Sequence, residues 1–155
     1  MVQIERNRMN LSEYVKKRNG VPIGHSKSLR NNLYRSLGAK NFSVFWNFWN
    51  PIFGYYLGIK VFKPLKKVLS IPFALILTFV FCGLIHDLVT ILFRGKISLF
   101  FFVCFFLMGV SVAITKYIDY DFSKKQWIVR AVTNVSIIGF CLLLTILLNN
   151  IFKFY

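Results

Sequence analysis

Residues 69–93 read LSIPFALILTFVFCGLIHDLVTILF, and this stretch decides the fold class. Its polar side chains are Ser70, Thr78, His86, Asp87 and Thr90; the rest are apolar apart from the backbone-shaping Pro72 and Gly83. At about 1.5 Å per residue a helix of this length exceeds the ~30 Å hydrocarbon core of a bilayer. Lipid offers the backbone no hydrogen-bond partners, so such a stretch must be helical.

Two more stretches have the same character. Ile97–Thr115 has only Ser98, Ser111 and Thr115 as polar side chains, and Val129–Phe152 opens on Arg130 and is then almost wholly apolar up to Asn149 and Asn150. The fold expected is therefore an all-α integral membrane protein. It has three transmembrane helices at about 68–93, 97–115 and 129–152, within a membrane domain of residues 41–155. Ahead of it, residues 1–40 form a basic arm with nine Lys and Arg against Glu5 and Glu13. They contain no apolar core segment and do not read as a secretory signal.

Within the arm, Gly20, Pro22 and Gly24 mark a loop. Ser26 or Ser28 then caps a short helix ending near Gly38. Leu29, Leu33 and Leu37 share one face, with Arg30 and Arg35 elsewhere. That pattern fits an amphipathic helix lying on the membrane, or one packed over the membrane domain.

Residues 42–62, FSVFWNFWNPIFGYYLGIKVF, are aromatic but interrupted by Asn47, Asn50, Pro51 and Gly54. Pro51 disfavours one continuous helix, and Trp46, Trp49, Tyr55 and Tyr56 suit a membrane interface. The charge pattern argues against a full crossing. Lys60, Lys63, Lys66 and Lys67 follow the segment, and Lys116, Lys124, Lys125 and Arg130 lie between the last two spans beside Asp119 and Asp121. Only Arg94 and Lys96 separate the first two spans, and only Lys153 lies at the C-terminal end. The positive-inside rule puts residues 60–67 and 116–130 in the cytoplasm. The N-terminal arm stays on that side only if 42–62 is re-entrant or interfacial.

The net charge of +15 suits either nucleic acid or anionic lipid and acidic partners. The spans favour membrane lipid and no nucleic acid. Cys82, Cys104 and Cys141 each sit in an apolar stretch and read as packing residues. No His, Cys and carboxylate grouping has metal-ligand spacing, so no metal is expected. His25 lies in a basic loop and reads as solvated.

His86 is different. It sits about seven residues, or on the order of 10 Å, from the end of its span. Ionisable residues at such depth are rare and functional by default, although a packed imidazole with one hydrogen bond is the plain alternative. A neutral imidazole can take a proton from a hydroxyl and return it. Asp87 points about 100° away; it faces a polar cavity or pairs with Arg94 or Lys96. Cys82 shares a helix face with His86, which makes a Cys–His nucleophile pair geometrically possible. Asn50, before Pro51, is either a turn former or an amide that holds a substrate carbonyl or hydroxyl. Asn47 is similar.

Three features in order carry a family resemblance: Phe45-Trp46-Asn47-Phe48-Trp49-Asn50-Pro51, then Val61-Phe62-Lys63-Pro64-Leu65, then Phe81-Cys82-Gly83-Leu84-Ile85-His86-Asp87. Together they resemble the membrane-bound O-acyltransferase family, in its diacylglycerol and sterol acyltransferase branch. The resemblance covers about a third of the chain and implies His86 and Asn50 as catalytic residues. Trp46, Asn47, Trp49 and Asp87 are then expected to contact substrate. The reaction implied is acyl transfer from acyl-CoA or acyl carrier protein to a hydroxyl or amine, with no cofactor. Bacterial members often carry His at the position of Asn50, and family members are several times longer. A chain this short implies a homo-oligomer or a partner membrane protein. The other expectations are a non-catalytic anchor or assembly subunit and a small proton-coupled transporter. The Lys-, Asn-, Ile- and Phe-rich composition points to the inner (cytoplasmic) membrane of a bacterium, with multiple passes and a cytoplasmic N-terminus.

Overall fold

The structure is a computed structural model that describes residues 9–95 and 99–152. The arm's Glu5, Arg6 and Arg8, the loop residue Lys96, the first residues of the second predicted span and Lys153 lie outside the described residues. Among those described, the regular elements are all helical, with no strand. Eight α-helices follow in order: α1 (Leu11–Asn19), α2 (Ser28–Leu37), α3 (Phe42–Phe48), α4 (Pro51–Leu57), α5 (Lys63–Leu65), α6 (Ile71–Arg94), α7 (Phe100–Ile118) and α8 (Trp127–Phe152). Of these, α6, α7 and α8 are long and apolar enough to cross a membrane. The chain is a multi-pass, all-α membrane protein.

The span boundaries have local causes. Ser70 is the N-cap of α6, and Pro72 sits in its first turn, where a missing N–H costs nothing. Gly95 ends the helix at φ 67°, a left-handed conformation that glycine adopts without penalty. The second helix starts at Phe100, later than the hydropathy predicted, because Asp87 receives its first backbone amides. The third begins at Trp127, ahead of Arg130.

The pair α6–α7 is the tightest in the fold. A Cβ on Gly83 would come within 2.9 Å of the Phe101 carbonyl carbon and closer still to its oxygen, and one on Gly109 would sit 2.9 Å from Phe79 Cβ. Two helices of this size approach so closely only through glycine, and in lipid such van der Waals packing supplies much of the association energy.

The aromatic segment is not one element. Asn41 caps α3, its side chain accepting the Val44 N–H. Helix α3 then packs inward, with Phe42 and Phe45 fully buried against Ala39 and Val112. The chain breaks at Trp49 and Asn50, where Asn50 takes φ 40°, ψ 70° and its Oδ1 caps α4. Pro51 occupies the first position of α4, as its fixed φ and absent N–H favour. Helix α4 runs on into a π-helical stretch, Gly58–Phe62, in which Lys63 N–H bonds Gly58 O. Pro64 has no N–H to offer Lys60, so the ladder shifts by one residue.

Residues 11–37 contain one element that the sequence reading did not anticipate. An unpredicted helix, α1, opens with a reciprocal Asn10–Glu13 capping box and closes at Gly20 (φ 81°). Helix α2 packs over the membrane domain, one of the two placements expected for it. Asn32 Nδ2 donates to Phe48 O at 2.8 Å, Trp127 Nε1 donates to Tyr34 O at 3.0 Å, and Asn134 Nδ2 donates to the carbonyls of Leu37 and Ala39, each at 3.0 Å. Lys27, not Ser26 or Ser28, is the N-cap of α2, and no side chain caps it; Ser28 Oγ instead accepts from Asn19 Nδ2.

Candidate functional site

Helices α3, α4, α6 and α7 and the π-helical stretch enclose a cavity of about 490 Å³. From α6, Thr78, Cys82 and His86 line it at four-residue intervals, the spacing of one helix face. From the other side come Trp46 and Asn47 of α3, and Trp49 and Asn50 at the break. Five of the six residues singled out in the sequence thus face one space, although 36 positions separate Asn50 from His86.

His86 is half-buried amid aromatic rings. Its ring centroid lies 5.0 Å from Phe105, 5.5 Å from Phe101 and 6.4 Å from Phe53 of α4. Its Nδ1 is 2.9 Å from the Cys82 carbonyl oxygen. A carbonyl can only accept, so Nδ1 carries the hydrogen and a neutral ring keeps its lone pair on Nε2. Nε2 has no hydrogen-bond partner among the described residues. Cys82 Sγ stands 4.0 Å from Nδ1, the nitrogen already committed to the carbonyl, so the thiol does not meet the ring's basic nitrogen.

Asn50 divides its amide between two tasks. Oδ1 accepts the Phe53 N–H at 3.2 Å and fixes the start of α4. Nδ2 has no partner among the described residues and is free to donate. The left-handed backbone brings the amide there, and Asn tolerates that conformation better than most residues. Asn47 and Trp49 are exposed at the cavity, and Trp49 stacks on Phe45 at 5.5 Å. Trp46 is wedged between Phe45, Phe79 and Phe105, and its buried Nε1 has no acceptor among the described residues.

Asp87 is placed elsewhere, and its expected contact with substrate is corrected. It does not line the cavity; it is 2% exposed, and its two oxygens accept the N–H groups of Phe101 (2.9 Å) and Phe102 (2.7 Å). A carboxylate at a helix N-terminus satisfies orphan amides and complements the helix dipole. The first turn of α7 therefore takes the carboxylate that the sequence had assigned to Arg94, Lys96 or a cavity. His25 is the exposed loop residue expected, its Nδ1 accepting the Lys27 N–H.

Phe53, Phe105 and Lys116 are among the cavity residues that escaped the sequence reading. Lys116 had been counted only as a loop charge. It lies eleven residues after Phe105 on α7, roughly 16 Å along the helix, so the cavity has an imidazole toward one end and an ammonium toward the other. Among the described residues no His, Cys, Asp and Glu grouping could hold a metal. No protein-family model, curated protein or solved structure matches the chain.

Proposed function

We propose that the protein is a membrane-embedded acyltransferase that moves an acyl group from a thioester donor, acyl-CoA or acyl carrier protein, to a hydroxyl or amine. The observation that carries this reading is that His86 and Asn50, distant in sequence, line one aromatic cavity. In the proposed step, His86 Nε2 takes the acceptor proton as the acceptor attacks the thioester carbonyl. Asn50 Nδ2 donates to the carbonyl oxygen, which gains negative charge. The C–S bond then breaks, and the thiolate leaves with the proton from His86. Donor phosphates are steered by Lys116 and the lysines of residues 60–67.

By the positive-inside rule, residues 60–67 and 116–130 face the cytoplasm of a bacterial inner membrane, with the N-terminus on the same side. The cavity is open at Asn47, Trp49 and Asn50, all exposed, and a second copy or a partner membrane protein completes its wall. That openness equally favours a second reading, an assembly subunit in which His86 is a structural polar group held by the Cys82 carbonyl. The deciding experiment compares purified wild type and His86→Ala, reconstituted in lipid with labelled acyl-CoA or acyl carrier protein and a lysate as acceptor pool. Transfer by the wild type alone supports the enzyme. Equal transfer by both removes His86 as the base, and loss of a cellular function on deletion but not on His86→Ala selects the subunit.

A further inference from the structure

Helix α2 has its polarity reversed relative to a helix on a water-soluble protein. Its uncharged polar side chains turn inward, while Arg30 and Arg35 stay exposed: Ser36 is fully buried, with Oγ donating to Asn32 O, and Asn31 and Asn32 donate to the carbonyls of Asn19 and Phe48. Its apolar side chains turn outward: Leu29 is 71% exposed, Leu33 37% and Tyr34 62%, with Ile23 exposed just before the helix. Only Leu37 of the leucine row joins the core. In water this arrangement forfeits the burial of apolar side chains that ordinarily drives a surface helix to pack.

The charge on this stretch has one sign. Residues 20–39 contain Lys27, Arg30 and Arg35 and no acidic residue, while Lys40 beyond them is paired with Asp121. The height of the helix relative to the spans is also fixed. Tyr34 stacks on Trp127, the first residue of α8, with centroids 5.4 Å apart. Leu37 is held by Asn134, seven residues further into α8 and so about 10 Å along it. The aromatic pair stands where a span meets headgroups, the level at which Trp and Tyr concentrate.

We infer that the outer face of α2 is a docking surface for the anionic lipid leaflet beside the spans, with Leu29, Leu33 and Tyr34 entering the acyl boundary and Lys27 and Arg30 meeting lipid phosphates. Apolar insertion and cationic attraction act together at such a surface. The docking steadies α3, because α2 holds the Phe48 carbonyl through Asn32.

The test places an environment-sensitive NBD fluorophore at Leu29→Cys, at Leu33→Cys and, as a water-facing control, at Lys17→Cys, with the buried native cysteines left in place. Each protein is reconstituted in phosphatidylcholine vesicles with or without phosphatidylglycerol, and nitroxide-bearing lipid serves as quencher. The expected result is shorter-wavelength emission and severalfold stronger quenching at 29 and 33 than at 17, increased by phosphatidylglycerol. Lys27→Glu with Arg30→Glu should abolish the increase. Quenching at 29 and 33 that ignores phosphatidylglycerol overturns the recognition of anionic lipid. Water-like emission at both positions in both vesicles overturns the docking altogether and leaves the face to a protein. Neither readout depends on acyl transfer.

Discussion

The Asp87 carboxylate on α6 receives the Phe102 N–H at the head of α7, at 2.7 Å, and so ties α7 to the helix that carries His86. Asp87→Ala leaves two buried amides without an acceptor, a loss on the order of 2–3 kcal/mol. Asp87→Asn keeps one acceptor oxygen but not the charge, and should fall between it and the wild type. Denaturant titration in micelles, followed by circular dichroism, measures both; an unchanged midpoint for Asp87→Ala would remove the cap from this account.

The two candidate catalytic residues separate by chemistry. His86→Ala should lower acyl transfer by about 10²–10⁴-fold with the helical content retained. Asn50→Asp keeps an oxygen for the Phe53 N–H but loses the donating NH₂, so α4 should stay folded while transfer falls. Asn50→Gly keeps the left-handed backbone and loses the cap, at a few tenths of a kcal/mol. Equal activity in Asn50→Asp and wild type would reduce Asn50 to a turn former.

Two helical glycines should respond oppositely to alanine. At Gly83 the added carbon meets the Phe101 backbone carbonyl, which no rotamer change can move, so α6 and α7 must separate at a cost of about 1–3 kcal/mol. The same strain displaces His86, three residues on, and should reduce activity. At Gly139 nothing lies within 4 Å, and alanine should stabilise α8 by about 0.5–1 kcal/mol through helix propensity. Thermal unfolding of the two variants side by side tests this.

Lys40 and Asp121 pair at 2.5 Å beside the start of α3. The Lys40 hydrogen bond holds the Asp121 carboxyl well below its ordinary value of 3.8. The same bond raises the Lys40 amine above its ordinary 10.5. The depressed acid contributes stability above pH 3.8 that is lost as pH falls through its folded value. The raised base contributes stability below pH 10.5 that is lost as pH climbs through its own. The melting difference between wild type and Asp121→Asn should therefore persist across the intervening range and vanish in strong acid. Both groups are exposed, so salt should shrink the difference.

The three long helices were readable because hydropathy over some twenty residues admits few alternatives. Asn50 and His86 were readable because an amide and an imidazole stand out in apolar surroundings. Lys116 was not, since a lysine at a span end looks the same whether it faces water or a cavity. Asp87 misled because its partners are backbone amides of the next helix, which leave no mark in side-chain patterns. Helix α1 did leave a mark, in Asn10, Glu13 and Gly20 and in the i, i+3, i+4 spacing of Leu11, Tyr14 and Val15, but nine mostly polar residues make that period too short to stand out.

The contacts that seat α3 reach far ahead in the chain: Phe42 N–H bonds Tyr120 Oη across 78 positions, and Asn134 grips the Ala39 carbonyl across 95. A ribosome delivers α3 and α4 long before either partner exists. These two contacts can therefore form only after Tyr120 and the first turns of α8 have been made. The cavity, lined by residues from Ser43 to Lys116, cannot be complete before α7 has been made.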